Sequence, residues 1–166
     1  MSLKEAFRYP HPTNEVVSRL VAAMVALLAG SILAFDLPRL LPLLVFGFLA
    51  RVLAGPTWSP MAWLAHRVLL PALGNPRRPT AGPPKRFAQG IGLLVSGAAL
   101  TSWLVLGQAG IAQGLLGVLV LFAVLEAVLG FCAGCLVFRQ LMRWGWIPQE
   151  TCERCNHLTL PARNTA

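Results

Sequence analysis

The sequence predicts an all-α protein built for a lipid bilayer: a polytopic membrane protein with a four-transmembrane-helix bundle and a short interfacial helix between spans two and three. Three observations predict it. Of 166 residues, 56% are hydrophobic and only 12% are Asp, Glu, Lys or Arg, about half the charged share of soluble domains. A chain this small has too much surface to hide that apolar area from water, and it is too apolar for disorder. The apolar residues gather in long runs of the length a helix needs to cross hydrocarbon. Finally, the 14 basic and 6 acidic residues give a net charge of +8, and the basic ones sit between the runs. No nucleic-acid-binding motif organises them, so the expected partner is the bilayer and not nucleic acid.

The first span is expected over 16–35, with Asn14 as N-cap and Glu15 in the first turn beside the positive end of the helix dipole. Asp36-Leu37-Pro38-Arg39 then reads as a tight turn. The second, 40–54, is short, with Pro42 in its first turn and Arg51 expected to snorkel to the interface. Residues 55–89 hold seven prolines and form the longest polar stretch. Within it, Ser59-Pro60 starts a short helix, Met61 to Leu70, which Pro71 stops. Trp58, Trp63, His66 and Arg67 suit a helix lying at the headgroup level. The third span is expected over 88–106 and the fourth over 111–138. The fourth is about 42 Å long, more than the roughly 30 Å of hydrocarbon, so it should tilt or project. Residues 1–144 thus form the membrane domain and 145–166 a C-terminal tail.

Charge placement sets the topology. Lys4, Arg8 and Arg19 precede or begin span one. Arg51, Arg67, Arg77, Arg78, Lys85 and Arg86 separate spans two and three. Arg139, Arg143, Arg154 and Arg163 follow span four, and Arg39 alone falls on the other side. Positive residues mark the cytoplasmic face, which places both termini in the cytoplasm and requires the short second segment to cross. Gly110 with Gly114, Gly130 with Gly134, and Gly92 with Ser96 have the spacing of close helix contacts. They suit a compact bundle or a homodimer face.

All four cysteines lie in the last 35 residues. Cys132-Ala133-Gly134-Cys135 and Cys152-Glu153-Arg154-Cys155 are C-x-x-C pairs separated by sixteen residues. That spacing falls within the range of four-cysteine zinc sites. One reading therefore has Cys132, Cys135, Cys152 and Cys155 holding structural Zn. The other makes the pairs dithiol/disulfide couples, Cys132 and Cys135 above all, that pass electrons or sulfur to a soluble thiol protein. A cytoplasmic location argues against permanent disulfides. His157, two residues beyond Cys155, is expected in solvent rather than on a metal, as are His11 and His66.

Glu126 is the one acid in an apolar stretch, where a charged carboxylate costs about 2.5–3.5 kcal/mol. On a continuous helix it lies about 240° from Cys132 and 180° from Cys135, too far round to act on the thiols. It is expected to hydrogen-bond a neighbouring helix through Gln89, Ser96, Thr101 or Ser102. The alternative is a proton or ligand site in a small transporter.

Two stretches carry a resemblance. Pro84-Lys85-Arg86-Phe87-Ala88-Gln89-Gly90-Ile91-Gly92 resembles the PKRFAxGIG stretch of bacterial membrane proteins grouped as domain of unknown function 4395. The run from Leu125-Glu126 to Gly130-Phe131-Cys132-Ala133-Gly134-Cys135 resembles that family's LExxxGFCxGC signature. The hydrophobic layout of residues 14–138 is similar too. The resemblance implies a bacterial inner-membrane protein in which Glu126, Cys132 and Cys135 act together. It names no reaction, and it allows a thioredoxin-like or sulfurtransferase partner.

Overall fold

A computed structural model describes residues 13–55, 58–76, 78–80 and 82–146. Helix α1 (Glu15–Phe35) starts as its sequence dictates. The Asn14 side-chain oxygen accepts from the Val16 N–H at 3.0 Å, and its amide donates to the Pro76 carbonyl at 2.8 Å. A two-residue antiparallel ladder pairs β1 (Thr13–Asn14) with β2 (Pro79–Thr80). The Glu15 N–H adds a bond to the Arg78 carbonyl at 2.8 Å. The long polar connection is thereby fastened across the start of α1.

Asp36 closes α1 in the left-handed conformation. A single 3₁₀ turn (Pro38–Leu40) leads into α2 (Leu41–Ala54). At 14 residues, α2 is about 21 Å long. The segment expected to stop at Pro71 runs on to Ala72. It comprises α3 (Pro60–Leu64), a π-helical stretch (Ala65–Leu69) and α4 (Leu70–Ala72). The wider turns let the Leu70 N–H reach the Ala65 carbonyl, which accommodates a proline that an α-helix interior would reject. Ser59 is the N-cap by backbone conformation, but its buried hydroxyl makes no cap bond.

Helix α5 (Gly82–Leu104) begins six residues before the expected third span, because Pro83 and Pro84 sit in its first turn, where their missing N–H groups cost nothing. Gly107, with a positive φ, turns the chain into α6 (Ala109–Leu129). The single fourth span expected over 111–138 is instead two helices, α6 and α7 (Ala133–Arg143). The break is at Gly130, where φ is +70°, a conformation side-chain-bearing residues resist. Three helices, α1, α5 and α6, are long and apolar enough to cross a membrane; α2 is too short to count by that measure.

Helix α1 packs along α6, α5 lies against both α2 and α6, and α7 lies on the beginning of α5. The core between them is rich in small side chains, with Ala29, Ala65, Ala99 and Ala112 fully buried among Val25, Ile32, Leu44 and Leu116. Large apolar residues such as Leu27, Phe46, Leu94 and Leu121 face outward. Small residues inside and large ones outside is the arrangement of helices that meet in lipid. Of the expected glycine contacts, Gly92 with Ser96 is buried, and a Cβ on Gly92 would run into the Phe48 ring of α2. Nothing lies near Gly110 or Gly114, and Gly130 and Gly134 belong to no common helix.

The C-terminus of α6 is closed from a distant part of the chain. The Arg19 guanidinium donates to the Ala127 carbonyl at 3.0 Å and to the Val128 carbonyl, and it faces Glu15 at 4.0 Å. A cation on the last carbonyls of a helix satisfies orphan acceptors and the negative end of the dipole together. Hydrogen bonds from charged donors contribute about 1.5–3 kcal/mol each. Arg19→Ala is therefore expected to destabilise the bundle by about 1–3 kcal/mol, and Arg19→Lys by less. Thermal unfolding in detergent would measure this; equal melting of wild type and Arg19→Ala would refute it.

Candidate functional site

The break at Gly130 builds the site. Its N–H reaches the Glu126 and Leu125 carbonyls, ending α6, and Phe131 bonds back to Leu125 at 3.3 Å. The chain then turns sharply. Cys132 becomes the N-cap of α7, its carbonyl accepting from the N–H groups of Cys135 and Leu136 at 3.1 and 3.2 Å. Cys135 sits one turn in. Both are free thiols, half-buried. This differs from the expected pair near the end of one continuous helix. A thiolate at a helix N-terminus lies at the positive end of the dipole, where thiol acidity rises.

Gly134, between the cysteines, is buried against the backbone of α5. A Cβ there would stand 2.6 Å from the Ala88 Cα. The Phe138 ring packs tilted against that of Phe87, with centroids 5.6 Å apart. These two contacts fix α7, and hence the cysteines, on the first turns of α5.

The turn also brings Cys132 to Glu126. Both line one cavity of about 250 Å³ between α1, α5, α6 and α7, with Phe48 of α2 in its wall. The helical-wheel expectation that separated them fails because the wheel is interrupted between the two residues. The expected hydrogen bonds from Glu126 to a neighbouring helix are also absent among the described residues. Ser96 and Thr101 donate to carbonyls of their own helix, and Gln89 bonds Arg51.

Arg51 does not snorkel. It is 4% exposed, donates to Gln89 at 2.8 Å and lies over the Phe48 ring at 4.6 Å. Lys85, 8% exposed, acts electrostatically on Glu126 and on both thiols, and Arg51 acts on Glu126. In the sequence Arg51 and Lys85 stand among the charges between apolar runs, which points to the interface rather than the interior. With α5 starting at Gly82, Lys85, Gln89, Gly92 and Ser96 form one stripe at helical spacing, the signal that would have placed Lys85 inside.

The two thiols differ. The Cys135 S–H directed at the Cys132 sulfur holds the Cys132 thiol below its ordinary range, with Lys85 helping, while burial and Glu126 oppose. The same bond and burial push Cys135 up. Cys132 therefore carries thiolate at a pH where an ordinary thiol is protonated, and Cys135 keeps its proton. Alkylation of the reduced protein with iodoacetamide is expected to modify Cys132 first, at a rate whose midpoint lies below that of a free thiol. Peptide mapping across a pH series checks this, and preferential labelling of Cys135 would contradict it.

Cys152 and Cys155, with His157 and His11, lie outside the described residues. Among the described residues no group of three or more His, Cys, Asp or Glu side chains is placed to hold a metal. His66 is exposed on the π-helical stretch.

Fold and site together define a helical protein of membrane type, with a C-x-x-C pair at the head of a short helix that follows its last long apolar one. The family model described as Domain of unknown function (DUF4395) matches residues 13–143, and the chain belongs to that family. No curated protein and no solved structure matches the chain.

Proposed function

We propose that the protein is a membrane thiol component that exchanges electrons or sulfur with a soluble thioredoxin-like or sulfurtransferase partner, using Cys132 as nucleophile and Cys135 as the resolving thiol. The observation that carries this is the placement of Cys132 at the N-cap of α7 with Cys135 one turn later. A nucleophilic thiol needs its charge stabilised, and the helix end, the Cys135 S–H and Lys85 all contribute. The Cys135 thiol, held in contact with the first, is positioned to attack a mixed disulfide and release the partner. Glu126, in the same cavity, belongs to this chemistry rather than to separate transport.

The bundle is read as four crossings in a bacterial inner membrane, with both termini cytoplasmic and residues 60–72 lying at the interface. Support comes from where the basic residues meet. Arg19 binds the end of α6, Arg51 at the end of α2 binds Gln89 of α5, and Arg86 of α5 donates to the Val52 carbonyl at 2.9 Å. The start of α1, the end of α2, the start of α5 and the end of α6 thus share one end of the bundle. Trp58 and Trp63 are exposed beside it, as an interfacial segment requires.

The test is a thiol count with metal analysis on full-length protein purified without reductant. The expected result is metal-free protein in which mild reduction releases the Cys132 and Cys135 thiols together. One zinc per chain with four protected thiols would overturn the proposal in favour of a structural site using Cys152 and Cys155 as well.

A further inference from the structure

We propose that the cavity beside Cys132 takes a lipid-soluble quinone, the two-electron acceptor that converts the Cys132–Cys135 dithiol to its disulfide. This rests on the thiol reading above and runs its reversible exchange in the other direction: a reduced partner attacks the Cys132–Cys135 disulfide, its two thiols become a disulfide, and the chain's dithiol is restored.

The shape of the cavity selects the class. Along α6 it runs from Glu126 to Val118, about 12 Å. At that far end Val118 and Phe122 are 49% and 43% exposed, on a helix apolar enough to face lipid. The cavity therefore opens sideways toward the acyl chains and ends at a sulfur. Its walls, including Val25, Val95 and Ala123, are mostly apolar. An occupant needs an apolar body that enters from lipid and a reactive head that meets a thiolate. A cavity of about 150 Å³ holds one benzene, so about 250 Å³ holds a substituted six-membered ring and the start of its tail.

The polar groups suit a quinone head. The Gln89 oxygen is committed to Arg51, so the group that Gln89 can offer a ligand is its amide NH₂, a donor for a ring carbonyl. Arg51 and Lys85 supply positive charge beside the site, which favours the oxyanion that forms as electrons arrive. The reaction balances. Two thiols lose two electrons and two protons, and one S–S bond forms. The quinone gains both electrons and both protons and leaves as the hydroquinone.

Full-length protein in phospholipid nanodiscs, reduced and freed of reductant, is mixed anaerobically with decyl-ubiquinone, whose ring is fully substituted. The expected result is loss of the Cys132 and Cys135 thiols with one hydroquinone formed per chain. Val118→Trp at the opening and Ala123→Phe in the wall should each slow this about tenfold or more, since a ring held out of attack geometry loses rate steeply. Val118 faces outward, so its replacement does not strain the core. A water-soluble reagent, hydroxyethyl disulfide, reports redox competence separately. If it oxidises the pair and the quinone does not, or if both variants react with quinone at the wild-type rate, the quinone site is refuted and the thiol reading stands. If neither reagent oxidises the pair, both fall.

Discussion

Cys135→Ser is expected to trap the partner. With the resolving thiol gone, a disulfide between Cys132 and an incoming protein has nothing in the chain to release it. A covalent adduct should accumulate, visible on a non-reducing gel and lost on reduction. Cys132→Ser should abolish both adduct and turnover, because the serine hydroxyl is not ionised in this range and cannot attack a disulfide. The loss should be at least about a hundredfold, the scale on which removing an activated nucleophile acts. The asymmetry is the informative part. An interchangeable pair would trap adducts through either cysteine, whereas the structure gives the helix N-cap to Cys132 alone. Equal trapping by Cys132→Ser and Cys135→Ser would count against the assignment of roles.

The second large effect is expected at Gly134, which has no side chain to take part in the chemistry. Any side chain there meets the Ala88 backbone of α5, and backbone cannot swing aside. Overpacking a well-filled contact costs about 1–3 kcal/mol, and Gly134→Val adds a branched side chain near the start of α7. The helix must lift from α5, and the cysteines move with it. Gly134→Val should therefore lower the unfolding temperature and also raise Cys135 accessibility to maleimide. Gly97→Val on α5, at a glycine with open space around it, serves as control. Melting and labelling of Gly134→Val that match the control would show that the close approach of α5 and α7 has no energetic consequence.

Much of the scaffold was legible because it follows from local chemistry. The Asn14 cap, the turn at Asp36, the short α2 and the long polar connection all appear where the sequence puts them. The site was less legible. Nothing local distinguishes Gly130 from the other glycines of apolar helices; the side chains that close around it, Arg19 and Glu15, arrive from α1. A helix broken there no longer keeps the 100° step across the break, so Glu126 and Cys132, on different faces of a continuous helix, line one cavity. The start of α5 is hidden in the sequence because Lys85 and Arg86 have the look of loop charges. In the fold Lys85 is buried and only Arg86 remains exposed.

The latch between Arg19 and the end of α6 also sets an order of biogenesis. Arg19 and the carbonyls it holds lie 108 and 109 positions apart. During synthesis the first hydrophobic segment is made long before its acceptors exist, and its guanidinium must wait for them. The latch closes only when the last long apolar helix has been made. Cys132 and Cys135 follow those carbonyls in the chain, so their setting is complete only once the two ends of the bundle have met.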